Sequence, residues 1–286
     1  MSSHEWLGGP APTSLVLLGH PVSHSLSPRF QQAALDAAAK RVRYTARDVS
    51  PDALVETVRA LRAAGIAGNV TVPHKEDVAR LCDVLTPLAR RAGAVNTFGV
   101  NASGALVGHN TDVEGARDAI RAVMDDTVPT SALVLGAGGS AAAVLLALES
   151  LGVARVHVSA RSHERAEALI QRLALTHSAR AVSAPTHDLE GALVINTTPL
   201  GLHANDPVPL DLAALPARCA VLDLVYRPGE TAWVRDARAL GHRAEDGLRM
   251  LVAQGAAAYA WWFGEVPDVT AMWRVLEPRS PEPTPA

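Results

Sequence analysis

Residues 132–141 have the sequence ALVLGAGGSA. A short apolar run, Ala132–Leu135, leads into a turn with glycine at three of its first four positions, Gly136, Gly138 and Gly139. The residues that follow are rich in Ala and Leu, which favour a helix. A strand, a glycine-rich turn and a helix in this order form the context that the dinucleotide-binding pattern G-x-G-x-x-[G/A] requires. The stretch therefore predicts an α/β unit of the Rossmann type that binds a dinucleotide.

Each small residue of this turn has a physical role in such a site. Gly136 allows the tight turn, Gly138 lets the backbone approach a pyrophosphate, and Ala141 permits close packing between helix and strand. The free N–H groups at the helix N-terminus then face the phosphates. An ordinary strand-to-helix turn is the alternative. The residues predicted to hold the cofactor here are Gly136, Ala137, Gly138, Gly139, Ser140 and Ala141.

The end of the second strand of this unit indicates which dinucleotide is bound. An NAD site usually places Asp or Glu there, on the ribose 2′-hydroxyl. Here the predicted strand Val153–Ala160 continues into Arg161 and then Arg165, with no acid at the expected position. Guanidinium groups suit a 2′-phosphate, so the sequence favours NADP. The alternative is that one of these arginines lies in solvent at the start of a helix. Glu164 falls on the first helical turn, where it suits the helix dipole.

Strands and helices alternate on both sides of the glycine-rich turn, which predicts βαβ repeats and mainly parallel sheets. A polar turn at Asn101–Gly104 predicts a hairpin, and the Pro-containing segment Asp125–Ser131 predicts the start of a second unit. Predicted strands are Ser14–Gly19, Arg41–Ala46, Ile66–Val72, Ala94–Val100, Ala105–Gly108, Ala132–Gly136, Val153–Ala160, Ala192–Thr197 and Ala220–Val225. Predicted helices are Arg29–Lys40, Pro51–Ala64, one after Pro73 that ends at Leu81, Asp112–Met124, Ser140–Leu151, Ser162–Leu173 and Gly247–Phe263.

Composition narrows the class of ligand. The 286 residues carry a formal net charge of −3, which gives no reason to expect a nucleic acid or an anionic membrane as partner. No apolar run is long enough to span a membrane, and Met1–Thr13 lacks the pattern of a secretory signal, so we expect a cytoplasmic protein. Cys82 and Cys219 lie far apart, and His20 and His24 lie in a segment interrupted by proline. We therefore expect no disulfide framework and no metal site, which leaves a small-molecule site.

Two serines lie in the loop after the first predicted strand. The segment GHPVSHSLSP (19–28) carries Ser25 and Ser27, whose hydroxyls would point to one side of an extended loop. Both could bind a carboxylate or a hydroxyl of a ligand. For Ser27 the alternative is a helix cap, because a helix is predicted to start after Pro28.

A lysine and an aspartate lie at further strand ends of the same half, where open α/β sheets place their ligands. Lys75 is a reasonable general acid/base for an alcohol–ketone reaction, with the carboxylate of Asp112 orienting its ammonium group. A surface lysine and an aspartate that caps its own helix are the alternatives. The polar residues of these segments are Thr71 and Lys75 in NVTVPHK (69–75), Asn96 in GAVNT (93–97) and Asp112 in HNTD (109–112).

These motifs, in this order, resemble those of the shikimate dehydrogenase family. The resemblance extends from Leu17 to about Val275. It implies an N-terminal α/β substrate domain with a mainly parallel sheet (1–112 with 246–276), a Rossmann-type NADP domain (113–245), and C-terminal helices that return to the first domain. The Pro-rich tail, 277–286, is predicted to be disordered. The matching segments are GHPVSHSLSP (19–28), NVTVPHK (69–75), GAVNT (93–97), HNTD (109–112), GAGGSA (136–141), NTTPLG (196–201), DLVYRP (223–228) and DGLRMLVAQGA (246–256).

The resemblance implies a role for each matching residue. Lys75 and Asp112 would form the catalytic pair. The family pattern is broken at Ala160, where an Asn is often found, and at His20, where Asn or Ser is often found. The residues implied in substrate binding are Ser25, Ser27, Thr71, Lys75, Asn96, Asp112, Tyr226 and Gln254. Those implied in NADP binding, besides the glycine-rich turn, are Arg161, Ser162, Arg165, Thr197, Leu224 and Gly247.

The implied activity is the reversible, NADPH-dependent reduction of 3-dehydroshikimate to shikimate, a step of chorismate and aromatic amino-acid biosynthesis. One alternative is a quinate/shikimate or aminoshikimate dehydrogenase of a catabolic or secondary pathway. Another is a regulatory protein that binds these ligands without turnover. The paired serines and the arginines after Ala160 favour the biosynthetic enzyme, and the Lys75–Asp112 pair favours turnover. We expect a monomer or a homodimer whose partners are small molecules.

Overall fold

The computed structural model describes residues 4–9, 11–176, 178–183, 191–203, 205–216, 219–227 and 229–276. Within these residues the strands form two six-stranded sheets. The strands of the first sheet are β1 (Ser14–Gly19), β2 (Arg43–Asp48), β3 (Ala67–Val70), β4 (Val84–Leu85), β5 (Thr97–Val100) and β6 (Leu106–His109). Those of the second are β7 (Ser131–Leu135), β8 (Arg155–Ser159), β9 (Ser178–Ala181), β10 (Leu193–Asn196), β11 (Ala220–Asp223) and β12 (Arg243–Glu245).

The helices cover the faces of both sheets. Two short 3-10 turns, Pro51–Ala53 and Leu212–Ala214, accompany them. The α-helices of the described residues are α1 (His4–Leu7), α2 (Ser27–Ala37), α3 (Leu54–Ala63), α4 (Lys75–Leu81), α5 (Pro87–Ala92), α6 (Asp112–Val123), α7 (Gly139–Ser150), α8 (His163–Leu173), α9 (Ala232–Ala239), α10 (Leu248–Phe263) and α11 (Val269–Arg274). None of these helices has the length and apolar character needed to cross a membrane.

The first sheet has the strand order β2-β1-β3-β5-β6-β4. Strand β5 runs antiparallel to both of its neighbours, whereas the remaining pairs are parallel. The pairing of Val100 with Leu106 closes the predicted hairpin around Asn101–Gly104. The expectation of a mainly parallel sheet is therefore confirmed, and β5 is the exception that the hairpin imposes.

The second sheet has the order β12-β11-β10-β7-β8-β9, and all of its pairs are parallel. The chain starts in the middle at β7, builds outward through β8 and β9, and then returns to the other side of β7 with β10. This is the doubly wound order, and its switch point lies between β7 and β10. The glycine-rich turn leaves the carboxyl end of β7, so it lies at the switch point.

The C-terminal helices return to the first sheet, as the resemblance implied. In α10, Tyr259 and Trp262 are buried in one apolar cluster with Phe30 of α2 and with residues of β1. The Gln31 side chain donates to the Gly255 carbonyl at 3.0 Å, and the Trp262 indole donates to the Phe98 carbonyl at 3.1 Å. Burial of these large side chains fixes α10 across the first sheet, where it forms one wall of a cavity.

Most predicted elements are present with shifted ends. The predicted strand Arg41–Ala46 begins two residues later, and Pro51–Ala64 divides into a 3-10 turn and α3. The first part of the predicted strand Ala94–Val100 is a loop. The predicted disorder of the tail lies outside the described residues. The domain limits stay a prediction.

Candidate active site

A cavity of about 150 Å³ lies between the carboxyl ends of the first sheet and the glycine-rich turn. Its walls come from the loop after β1, the end of β3, the starts of α4, α6 and α7, the segment after β11, and one face of α10. The structure brings together in this cavity every residue that the sequence implied for the substrate, which are Ser25, Ser27, Thr71, Lys75, Asn96, Asp112, Tyr226 and Gln254.

Lys75 and Asp112 form an ion pair at the cavity wall. The lysine Nζ lies 2.7 Å from Asp112 Oδ2. Each residue is the first of its helix, α4 and α6, so both side chains project from helix starts at strand ends. The lysine side chain is 20% exposed and the aspartate 8%, so the ammonium can reach both the cavity and solvent. Thr111, not Asp112, is the N-cap of α6 and no side chain caps it, so the helix-cap alternative for Asp112 is wrong.

Asn96 binds the second carboxylate oxygen of Asp112, the one that Lys75 does not contact. Its Nδ2 donates to Asp112 Oδ1 at 2.8 Å, and its Oδ1 accepts the Thr111 N–H at 2.7 Å. The amide thus has a defined orientation, because each end has a partner of opposite kind. Gln254, which reaches in from α10, lies with its Oε1 3.3 Å from the same Nδ2. Asp112 is therefore held by both Lys75 and Asn96.

The two serines lie side by side on the loop that enters α2. The N–H of Ser27 donates to Ser25 Oγ at 3.2 Å. The N-cap of α2 is Leu26 and no side chain caps the helix, so the helix-cap alternative for Ser27 is wrong. Tyr226 faces the same cavity, and burial raises the pKa of its phenol. This tyrosine stays neutral at neutral pH and is a hydrogen-bond donor, as are both hydroxyls.

The glycine-rich turn has the geometry of a dinucleotide cradle. Gly136 has φ +114°, and a Cβ there would lie 2.5 Å from Thr197 Oγ1, so only glycine fits. Beside Gly138 and Gly139 there is open space within 4 Å of where a Cβ would be. No side chain caps α7, which leaves its first N–H groups for a ligand, and Ala141 is fully buried against the sheet. The cradle fits a pyrophosphate.

The turn and the substrate cavity are contiguous. Ser140, in the first turn of α7, lines the cavity together with Leu224 and Gly247. A Cβ on Gly247 would clash with the carbonyl oxygen of Leu224, so these two segments need glycine to approach each other. Thr197 donates to the Leu135 carbonyl at 2.7 Å and lies against Gly136, behind the turn. A cofactor cradled by the turn would therefore have one end at the Lys75–Asp112 pair.

The residues directly after β8 do not line the cavity. Arg161 and Arg165 are exposed, and in the described part of the chain neither side chain has a hydrogen bond or an ion pair. Ser162 caps α8, since its Oγ accepts the N–H of Arg165 at 3.2 Å and donates to Glu164 Oε2 at 2.8 Å. Having no partner among the described residues, both guanidinium groups could bind a phosphate.

The chain is similar to known proteins over most of its length. The shikimate dehydrogenase substrate-binding domain matches residues 17–98, and the shikimate 5′-dehydrogenase C-terminal domain matches residues 247–277. The shikimate dehydrogenase (NADP(+)) of Symbiobacterium thermophilum is 43% identical over 274 residues, which cover 90% of this chain and 91% of the relative. The chain belongs to the shikimate dehydrogenase family.

Solved structures of similar proteins have the same fold. Shikimate 5-dehydrogenase from Thermus thermophilus, in complex with NADP(H) and shikimate, has a TM-score of 0.82 and 38% identity over 92% of this chain and 97% of its own. Quinate dehydrogenase from Corynebacterium glutamicum, in complex with NAD, has a TM-score of 0.83 and 30% identity over 93% of this chain and 98% of its own. Because proteins named for different substrates share the fold, the fold by itself does not choose between them.

Some cavity residues were not singled out from the sequence. Asn69 lies within the segment NVTVPHK (69–75). Its buried side-chain amide accepts from Tyr44 Oη at 2.7 Å and donates to the Asn96 carbonyl at 3.0 Å. Met250 and Leu251 precede Gln254 by one helical turn, so helical spacing from Gln254 could have found them. The further lining residues that the sequence did not suggest are Leu17, Asn69, Val70, Met250 and Leu251.

Proposed function

We propose that this member of the shikimate dehydrogenase family catalyses the reversible, NADPH-dependent reduction of 3-dehydroshikimate to shikimate. The observation that carries the proposal is the continuity of one cavity with the dinucleotide cradle. The Lys75–Asp112 pair and two neighbouring serines line that cavity, and Ser140 of the glycine-rich turn belongs to the same wall. A ketone placed there meets a proton donor on one side and the cradle on the other.

Substrate orientation follows from the chemistry of the cavity wall. Ser25, Ser27 and Tyr226 offer three neutral hydroxyl donors, which suits the substrate carboxylate. Thr71, Asn96 and Gln254, with the ion pair, surround the remaining space and can exchange hydrogen bonds with the ring hydroxyls. The carboxylate at one end and the hydroxyls at the other would fix the ring in one orientation, which places one ring carbon beside the pair.

Lys75 donates the proton in the reduction and accepts it in the reverse reaction. NADPH held by the turn Gly136–Ala141 would supply the hydride that reduces the C3 carbonyl carbon of the substrate. As negative charge develops on the carbonyl oxygen, the lysine Nζ donates a proton to it and the alcohol forms; the reverse reaction returns that proton. Asp112 holds the ammonium at 2.7 Å and Asn96 holds Asp112, so the donor keeps its direction. The 20% exposure of the lysine side chain gives solvent access for its reprotonation.

Cofactor binding is assigned to the cradle and to the segment after β8. The turn Gly136–Ala141 would hold the pyrophosphate, with Thr197 buttressing Gly136. Arg161, Ser162 and Arg165 would surround the adenosine ribose and its 2′-phosphate, while Leu224 and Gly247 would lie near the nicotinamide. We assign residues 1–112 with 246–276 to the substrate domain and 113–245 to the cofactor domain. A cytoplasmic monomer or homodimer completes this proposal.

The test is a comparison of initial rates. Purified protein is given shikimate or quinate, each with NADP⁺ or NAD⁺, and absorbance of the reduced nicotinamide is followed. The proposal expects fast turnover with shikimate and NADP⁺ and slow turnover in the other three combinations. Faster turnover of quinate, or a preference for NAD⁺, would instead make the chain a catabolic or secondary-pathway enzyme. Binding of shikimate and NADP⁺ without turnover would indicate a regulatory protein.

A further inference from the structure

The loop that carries the two serines is tied to the sheet by a continuous series of hydrogen bonds. Asp48, the last residue of β2, accepts the N–H of Val22 on its Oδ2 at 3.2 Å. The Val22 carbonyl accepts the N–H of Ser25 at 3.1 Å, and Ser25 Oγ accepts the N–H of Ser27 at 3.2 Å. Hydrogen bonds therefore connect both serines, through Val22, to the Asp48 carboxylate.

The second oxygen of Asp48 is held by His20. The Nδ1 of this histidine lies 2.6 Å from Asp48 Oδ1. The hydrogen bond holds the pKa of the Asp48 carboxyl below its usual range, so the carboxylate is charged at neutral pH. The backbone of His20 is also held in place, since its N–H donates to the Val72 carbonyl at 3.1 Å. The Asp48 carboxylate thus contacts two residues of the loop, His20 through its side chain and Val22 through its backbone N–H.

These contacts contribute little to the stability of the fold. The side chains of His20 and Asp48 are 47% and 50% exposed, and a polar contact as exposed as this one adds little to the stability of a folded protein. The apolar anchor of the loop is the buried side chain of Val22, which packs with the core around β1. The His20–Asp48 hydrogen bond therefore has its main consequence in the direction of the loop, not in whether the loop folds.

We propose that His20 and Asp48 are positioning residues for the substrate carboxylate: together they set the loop so that Ser25 and Ser27 face the cavity. The inference rests on the proposed function, because it takes the serines as the carboxylate site. It also gives a role to His20, where the family often has Asn or Ser: an imidazole that reaches a carboxylate on the neighbouring strand.

The experiment measures KM for shikimate, KM for NADP⁺, kcat and the midpoint of thermal unfolding in a set of variants. His20→Ala and Asp48→Ala remove the two partners, and the double variant tests whether they act together. His20→Asn keeps a hydrogen-bond donor near the Nδ1 position and serves as the rescue variant. Glu56→Ala is the matched control, since it removes an exposed carboxylate that pairs with Arg59 at 3.9 Å on α3, away from the loop.

We expect KM for shikimate to rise about tenfold in His20→Ala and Asp48→Ala, as partial loss of two hydrogen bonds to a charged group would cause. KM for NADP⁺, kcat and the unfolding midpoint should stay at the wild-type values, and the double variant should be no worse than Asp48→Ala. His20→Asn and Glu56→Ala should behave as wild type. The inhibition constant of shikimate methyl ester, which lacks the charge, should change much less than KM for shikimate.

Three results would overturn the inference. One is an unchanged KM for shikimate in Asp48→Ala. Another is a parallel deterioration of both KM values, kcat and the unfolding midpoint, which a general structural defect would produce. The third is an equal loss for the methyl ester, which would show that the carboxylate is not involved. Failure of the proposed function is distinguished by the wild-type protein: no turnover of shikimate there overturns both proposals, whereas wild-type turnover with an unaffected Asp48→Ala overturns only this one.

Discussion

Lys75 is the residue on which the proposed chemistry depends most directly. Replacing it with Ala removes the proton donor and leaves the Asp112 carboxylate, 8% exposed, with Asn96 as its side-chain partner. We expect kcat to fall by roughly 10²–10⁴-fold, the usual contribution of a general acid/base, with a much smaller change in KM for shikimate. Steady-state kinetics at saturating NADP⁺ check this.

Lys75→Arg is the matched control for this prediction. The arginine keeps the positive charge and an ion pair with Asp112, but its guanidinium does not release a proton at accessible pH. We expect it to be nearly as slow as Lys75→Ala. Normal turnover in either variant would show that the lysine does not transfer the proton.

Arg161 is the residue that distinguishes the two nicotinamide cofactors in this proposal. It is exposed and, over the described ranges, its side chain has no protein partner. In Arg161→Ala we expect KM for NADP⁺ to rise by about tenfold or more, since a hydrogen bond to a charged group contributes roughly 1.5–3 kcal/mol. KM for NAD⁺, which lacks the 2′-phosphate, should not change. A similar rise for both cofactors would contradict the assignment, and Arg165→Ala measured alongside separates the contributions of the two arginines.

At the scale of elements, the turn between β7 and α7 allows a prediction that separates folding from cofactor binding. Gly138→Ala places a Cβ in open space, so the free protein should unfold at the wild-type temperature. Because that space is where the pyrophosphate would lie, the dissociation constant for NADP⁺ should rise at least about tenfold. Calorimetric unfolding without ligand and fluorescence titration with NADPH measure the two quantities.

Gly136→Ala is the matched variant in the same turn. It must adopt φ +114° and would bring its Cβ within 2.5 Å of Thr197 Oγ1, so it should destabilise the free protein by about 1–3 kcal/mol. Equal destabilisation by the two substitutions would contradict this account of the turn. So would normal NADP⁺ binding in Gly138→Ala.

At the scale of the whole molecule, polar contacts clamp α5, which follows β4 of the first sheet, to two helices of the second sheet, α7 and α8. Arg91 makes a two-point ion pair with Glu149 of α7, at 2.5 Å and 2.8 Å, and Arg172 of α8 donates to the Ala92 carbonyl at 2.9 Å. This clamp lies just before Gly93, where the chain turns with φ +67° toward Asn96. This contact between α5 and the helices of the second sheet is thus close in sequence to Asn96, which orients Asp112.

The clamp predicts a specific pH dependence of stability. The hydrogen bond and charge of Arg91 lower the pKa of Glu149 from 4.5 to about 2. A carboxyl with a depressed pKa stabilises the folded state fully above its unfolded pKa, and this contribution is lost as pH falls through the folded value. Glu149→Gln should therefore lower the free energy of unfolding by roughly 1–3 kcal/mol at pH 7. The difference from wild type should shrink below about pH 4.5 and vanish near pH 2.

Denaturant unfolding of both proteins between pH 2 and pH 7 measures this difference, where the protein remains two-state. Glu56→Gln, at an exposed single ion pair, is the control and should change stability by less than about 1 kcal/mol at any pH. A constant difference between wild type and Glu149→Gln across the whole pH range would show that the effect does not come from the charge of Glu149.

Much of the fold and of the candidate site could be predicted from the sequence because the signals are local. The glycine-rich turn needs its backbone freedom within a few residues, and the serine, lysine and aspartate motifs stand directly after strands. The alternation of apolar runs with Ala- and Leu-rich stretches predicted βαβ repeats and mainly parallel sheets. Each of these patterns depends only on residues that are neighbours in the sequence, so it can be recognised without the tertiary structure.

Only the tertiary structure decided which distant residues meet. Short elements such as β4 and β12 have no pattern of their own and exist because a neighbouring strand supplies their hydrogen bonds. Asp48 gives no sequence signal for its contacts with His20 and Val22, which are 28 and 26 residues away along the chain. Gln254 reaches Asn96 across 158 residues because α10 packs on the first sheet. The sequence determined the local conformations and the reactive groups, and packing of the apolar faces determined their juxtaposition, since burial acts between surfaces regardless of their separation along the chain.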